Sequence, residues 1–273
     1  MPARAGLSSA EDDTVSGQLV AAEGLPWPPR VEDFYLPDVA GPWVTKFTLM
    51  IWLAVGLLII FFMATYRNPK LVPSKGQWMA ESIYGLVRDN IAREQMGKEG
   101  IKFAPYFTVL FCFIALTNLF GITPGLQISP NSHIAFPIVL ALVSYVMYIY
   151  IGARKHGLGQ YLKQSLILPG VPWPMHILLI PIEFLQTFIV RPFTLAVRLF
   201  ANMFAGHLIL LVFTVGGFVM LASDNLFIQV SSVAAFLMAI LMAFFEVLVS
   251  LLQAYVFVIL SANYIGSSLA DEH

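Results

Sequence analysis

The chain has 273 residues, of which 58% are hydrophobic and 11% charged, and its mean hydropathy is +0.78. Soluble domains carry about 25% charged residues, so this composition excludes an ordinary soluble globular protein and indicates a membrane protein embedded in a lipid bilayer. The formal net charge is −1 and the lone cysteine, Cys112, sits in an apolar run, so no disulfide framework, no cysteine-rich metal site and no nucleic-acid partner are expected.

Residues 1–46 hold seven acids against three basic residues, with Pro26, Pro28 and Pro29 clustered among them. No helical period runs through this stretch, which predicts a polar, extended tail. It lacks the basic start, short apolar core and small-residue cleavage site of a signal peptide, so the first apolar run is expected to stay in the mature protein. That run, 47–66, has 20 uncharged residues. At about 1.5 Å per residue it matches a hydrocarbon core of roughly 30 Å, and it predicts the first spanning helix.

Residues 67–105 bring seven Lys or Arg, and Met79, Ile83, Leu86, Val87 and Ile91 recur at helical spacing between Glu81, Arg88 and Asp89. The pattern predicts an amphipathic helix, suited either to a membrane surface or to a solvated connection. Two uncharged runs, 106–123 and 134–152, then predict a transmembrane hairpin over 106–152. The connection 153–175 carries Arg154, Lys155 and Lys163 and no acid. Lys and Arg concentrate on the cytoplasmic side of membrane proteins. The two basic connections therefore belong there, the N-terminal tail outside and the C-terminus inside.

Two apolar segments, 176–221 and 227–266, span 46 and 40 residues ahead of a short tail at 267–273. As helices they would be about 60 to 70 Å long, roughly twice the membrane core. Each either folds back as a hairpin or crosses at a steep tilt. The fold class expected is an all-α membrane protein with about five membrane helices and an amphipathic surface helix.

Within these two segments lie Glu183, Arg191, Arg198, His207 and Glu246, with the amides Asn202 and Gln253. A charge at the centre of a spanning helix costs at least about 2.5 to 3.5 kcal/mol on insertion scales, so a functional reading is the default. Arg191, Arg198 and Asn202, spaced by seven and four, share one helix face, and Glu246, Ser250 and Gln253 share another. Arginine holds its proton at any physiological pH, so Arg198 can act only as a fixed positive charge. Glu183, His207 and Glu246 can titrate and are candidate relay groups. Plainer readings stand beside these. Arg198 and Glu246 could form an internal ion pair, although such pairs contribute little to stability. His207 fits a packing histidine as well as a relay, and Arg191, directly before Pro192, reads as a residue snorkelling to the interface. No H-E-x-x-H or comparable ligand pair occurs, so neither metal nor other cofactor is expected.

RLFANMFAGH, residues 198–207, closely resembles subunit a of F-type ATP synthases, in which an Arg is followed by Leu-Phe, Asn-Met and Ala-Gly. PIEFLQTFIVRPFTLAVRLF at 181–200, NLFGITPG at 118–125 and LLQAYVFVIL at 251–260 fit the same family, and the likeness spans Tyr106 to Tyr264. The resemblance implies a stator subunit without an active site of its own in a bacterial plasma membrane. It would offer two proton half-channels to a ring of small hairpin subunits, the c-ring, beside peripheral-stalk b-type subunits. It also implies that Arg198 is the essential charge facing the ring carboxylate, with Asn202 and Gln253 close by. His207, Glu246 and Glu183 would belong to the proton path, and the last two segments would be long, strongly tilted helices. In the best-known bacterial pattern a Glu stands at the position of His207 and a His at that of Glu246, so here the acid and the imidazole are exchanged. The rival reading is a self-contained ion-coupled transporter, which should carry an inverted repeat; no convincing similarity links the two halves.

Overall fold

The computed structural model describes residues 45–67, 70–123, 126, 129–166 and 173–269. The tail expected over 1–46 thus lies outside the described residues except for Thr45 and Lys46, as do residues 270–273. Among the described residues every regular element is helical. In hydrocarbon each backbone N–H and C=O must be satisfied within its own segment, and helices achieve this. Five helical runs are long and apolar enough to cross a membrane.

The first, α1 (Lys46–Tyr66), has 21 residues and turns Trp52, Ile60 and Met63 outward, each well over half exposed. The amphipathic stretch forms α2 (Lys75–Val87), whose first turn is capped by Ser74 Oγ accepting from the Gln77 N–H at 3.4 Å. A π-helical turn at Arg88–Arg93 leads into α3 (Glu94–Gly100), and a 3-10 turn at Ile101–Phe103 leads into α4 (Ala104–Phe120). The sequence pattern suggests a surface helix followed by a separate span. Instead one helical path runs over 46 residues from Lys75 to Phe120, redirected at Gly97, whose φ of 64° is open to glycine at little cost. Ala80, Val87 and Ile91 form its buried stripe, whereas Met79 and Leu86, from the same apolar set, face outward. The stripe that packs shares Val87 and Ile91 with the one the periodicity marks and adds Ala80.

After a 3-10 turn at Pro130–Ser132, α5 (Ala135–His156) returns antiparallel to α4, and the short α6 (Leu158–Leu166) follows. The two long segments are each a single run. α7 (Trp173–Leu185), a π turn at Gln186–Val190 and α8 (Arg191–Leu221) join into a path of 47 residues from Met175, and α9 (Leu226–Leu269) has 44. The hairpin alternative is therefore not adopted. At 1.5 Å per residue the two paths correspond to about 65 to 70 Å, roughly twice a hydrocarbon core of about 30 Å. Asn225 starts α9, its Oδ1 accepting from the Phe227 N–H at 3.0 Å.

The chain divides into two compact units. Among the described residues, one comprises Ala205–Val247 with Thr45 and Lys46, and the other Phe47–Phe204 with Leu248–Leu269. In the larger unit, Phe107 and Ile114 of α4, Leu199 of α8, and Phe257, Val258 and Ile265 of α9 form one core, every one of them buried. In the smaller unit α8 and α9 run antiparallel, with the ring of Phe236 edge-on to Phe218 at 5.2 Å and packed over Gly217.

Two glycines of the larger unit permit close backbone approach. A Cβ on Gly266 would lie 3.0 Å from the Gln95 carbonyl oxygen, and one on Gly100 only 2.1 Å from that of Ala92. Gly100→Ala should destabilise the fold by about 1 to 3 kcal/mol, because a backbone carbonyl must move. Gly85→Ala, where nothing stands within 4 Å of the added methyl, should be neutral or mildly stabilising. Thermal denaturation of the two variants in the same detergent checks the contrast.

Candidate functional site

Arg198 stands on α8, 23 residues from either end of the Met175–Leu221 path. Leu195, Ala196, Leu199 and Met203 are all buried and seat the flank of the helix beside it. The guanidinium is thereby left exposed on the outer face. Among the described residues Arg198 makes no hydrogen bond or ion pair. The internal pair with Glu246 is not formed.

One turn on, Asn202 Nδ2 donates to Gln253 Oε1 of α9 at 2.6 Å. Gln253 is buried, and so is Ser250 one turn before it. Ser250 Oγ and Gln253 Nε2 have no hydrogen-bond partner among the described residues. Buried polar atoms of this kind are ordinarily completed by water. The Ser250 carbonyl accepts from Asn118 Nδ2 of α4 at 3.3 Å, and Asn118 Oδ1 accepts from Asn131 Nδ2 at 2.7 Å. Asn131 Nδ2 also reaches Thr117 Oγ1 at 2.9 Å, and Ser129 Oγ donates to the Thr117 carbonyl at 3.1 Å. This buried network steadies α9 beside Gln253, and sequence reasoning did not single it out. Its signal was an asparagine inside an apolar run.

In the smaller unit His207 of α8 and Glu246 of α9 are both buried, and His207 Nδ1 is hydrogen-bonded to Glu246 Oε1. Gly206 makes room for the carboxylate, since a Cβ there would come within 3.0 Å of Oε1. Glu246 Oε2 has no partner among the described residues. The pair thus couples an imidazole to an acid whose second oxygen remains open to a further donor.

A polar cleft of about 500 Å³ lies in the larger unit, its polar lining formed by Gln186, Arg191, Thr194, Asn263, Tyr264 and Ser267. Arg191 lines it: its guanidinium sits 5.2 Å above the Tyr264 ring and Nη1 reaches Ser267 Oγ at 3.5 Å. The π turn ahead of it is held by Tyr148, whose hydroxyl donates to the Thr187 carbonyl at 2.7 Å. Glu183 of α7 is half-buried, makes no hydrogen bond or ion pair among the described residues, and is joined to neither polar pair. Among the described residues no three His, Cys, Asp or Glu side chains converge as metal ligands do.

Fold and site together define a multi-pass helical membrane protein with ionisable and amide groups paired inside helices of membrane length. A model of the ATP synthase A chain family matches residues 48–266. ATP synthase subunit a of Rhodococcus erythropolis is 44% identical over 258 residues, covering 90% of this chain and 91% of that protein. Subunit a of a Nocardioides species is 41% identical over 259 residues (90% and 94%), and that of Streptomyces lividans 39% over 227 residues (82% and 80%). The chain belongs to the ATP synthase A chain family. The matched span begins within α1, well ahead of Tyr106, where the likeness legible from motifs starts.

If His207 and Glu246 satisfy one another, each single replacement by Ala strands a buried polar group, and the double replacement costs less than the two together. A double-mutant cycle on the purified chain, read by chemical unfolding, should give a coupling of roughly 0.5 to 3 kcal/mol.

Proposed function

We propose that the chain is the membrane stator subunit of a rotary F-type ATP synthase, that Arg198 meets the titratable carboxylate of a ring of small hairpin subunits, and that proton passage past it turns the ring. The observation that carries this reading is the state of Arg198. A permanent cation at mid-helix, exposed and without an acid partner among the described residues, would cost at least about 2.5 to 3.5 kcal/mol against lipid. A carboxylate from a neighbouring subunit supplies the missing countercharge.

In this mechanism protons enter along a path containing His207, Glu246 and Glu183. His207 and Glu246 pass a proton through their shared hydrogen bond, with Glu246 Oε2 receiving from water. The ring carboxylate takes it up after leaving Arg198, is neutral while it faces lipid, and returns after nearly a full turn. The guanidinium then favours the ionised form and forces release. It also repels protons that would otherwise run directly between the two half-channels. Asn202 and Gln253, locked to one another, hold the surface one turn from the charge in a single arrangement, and water completes Ser250 Oγ and Gln253 Nε2. The polar cleft beside Thr194, one turn before Arg198, is the second path. Flow is driven by about 2.3 kcal/mol per charge for each 100 mV of membrane potential. The N-terminus lies outside and the C-terminus in the cytoplasm of a bacterial cell, with b-type subunits of a peripheral stalk holding the chain against rotation.

Arg198→Ala should abolish proton-driven ATP synthesis in inverted vesicles while leaving the complex assembled, and a passive proton leak is expected in its place. Synthesis at near-normal rates in that variant would overturn the mechanism. A transporter acting alone would instead purify without ring subunits.

A further inference from the structure

Pro192 leaves a gap in the backbone hydrogen-bond ladder of the larger unit, and Tyr148 fills it from another helix. Through the π turn Gln186–Val190 the backbone follows an i→i−5 register, in which the Arg191 N–H donates to the Gln186 carbonyl. The next bond of that register would run from residue 192 to the Thr187 carbonyl, but proline has no N–H to give. Thr187 is buried, so its carbonyl needs a donor from within the protein. The Tyr148 hydroxyl of α5 supplies it at 2.7 Å. Tyr148 is itself buried, and its ring stands edge-on to Tyr264 with centroids 6.1 Å apart. Tyr264 is the ring beneath the Arg191 guanidinium, so Tyr148 touches both the turn and the opposite wall of the polar cleft.

The turn decides which side chains the cleft contains. Gln186 and Arg191 both line it, although they are five residues apart. On an unbroken α-helix, at about 100° per residue, they would point about 140° away from one another. The π turn absorbs one residue and brings them to within about 40°. Ile182 before the turn and Thr194 after it line the same cleft, so the stripe runs unbroken across the joint between α7 and α8. Relaxing the turn to α geometry would rotate one helix by about 100° against the other and split this stripe. We propose that Tyr148 is a positioning residue for proton passage: its hydroxyl replaces the N–H that Pro192 lacks, keeps the π turn, and so holds Gln186 in line with Arg191 and Thr194. Tyr148 is not among the residues lining the cleft and acts only through the backbone it supports. This role rests on the reading of the cleft as the second proton path.

The test uses the whole ATP synthase in inverted vesicles, with Cys112→Ala, Gln186→Cys and Asn263→Cys in this chain. Gln186 of the turn and Asn263 of α9 line the cleft together, so a short bis-methanethiosulfonate should bridge the two thiols. Per assembled complex, bridging should fall at least threefold when Tyr148→Phe is added, which removes the hydroxyl alone. It should return to within twofold of the starting level when Pro192→Ala restores the missing N–H. Proton-driven ATP synthesis, measured in the same set without the cysteines, should fall at least threefold in Tyr148→Phe and recover in the Tyr148→Phe, Pro192→Ala pair. A ring that merely filled space would not be compensated by a backbone donor at position 192. If Tyr148→Phe alone does not assemble, recovery of assembly by Pro192→Ala reads the same compensation. No bridging in the starting protein, equal bridging in Tyr148→Phe, or no recovery with Pro192→Ala would overturn the inference. Bridging lost with synthesis intact would overturn the role in proton passage. Arg198→Ala tests the stator reading separately: an inactive Arg198→Ala complex beside an unaffected Tyr148→Phe sinks this inference and leaves that reading in place.

Discussion

Arg198 carries a charge that no described residue of its own chain neutralises, and much of the rest of the structure can be understood from that constraint. Leu195, Leu199 and Met203 bury the flank of α8 beside it, while Arg198 itself is exposed. The helical path that holds it runs 23 residues to either side and is predominantly apolar. A cation in that position is costly against hydrocarbon. In a family whose members are subunits of ATP synthases, an acid from a neighbouring subunit is the countercharge we propose.

The other polar groups of the long helices are treated differently. Asn202 is tied to Gln253, and His207 to Glu246, by hydrogen bonds from α8 to α9. Each pair lowers the cost of burying its members, and each leaves one atom open: Gln253 Nε2 in the first and Glu246 Oε2 in the second. A fully satisfied pair would serve packing alone. A pair with one open atom can stay folded and still exchange hydrogen bonds with water, as a proton path requires. The exchange of acid and imidazole relative to the best-known bacterial pattern preserves this chemistry, since the hydrogen bond needs one of each and not a particular order.

The surface cations follow a third logic. Arg191 lies over Tyr264 inside a polar cleft, while Arg154 and Lys155 close the end of α5 above an apolar face. Three positive sites thus have three settings: an exposed helix face, a polar cleft and the last turn of α5. Burial, ring contacts and depth along the helix separate them where residue type does not.

The amino-acid sequence by itself determined the class of protein, the positions of the membrane-length segments and the residues of interest within them. Long uncharged runs can bury their backbone in lipid only as helices, and a charge inside such a run stands out because its cost is large and local. The motif around Arg198 was equally legible, being contiguous in the chain. Other features were decided only in three dimensions. Hairpin and single continuous helix satisfy the same apolar composition and length, so those alone could not separate them in 176–221 or 227–266, and only the resemblance favoured one. The run-on of the amphipathic stretch into α4 turns on backbone angles at a π turn and at Gly97, which leave little trace in hydropathy. The network of Asn118, Asn131, Thr117 and Ser129, the pairing of His207 with Glu246 and the isolation of Glu183 are matters of which side chains meet across helices. Periodicity tells which face a residue occupies; only packing chooses the neighbour that face receives.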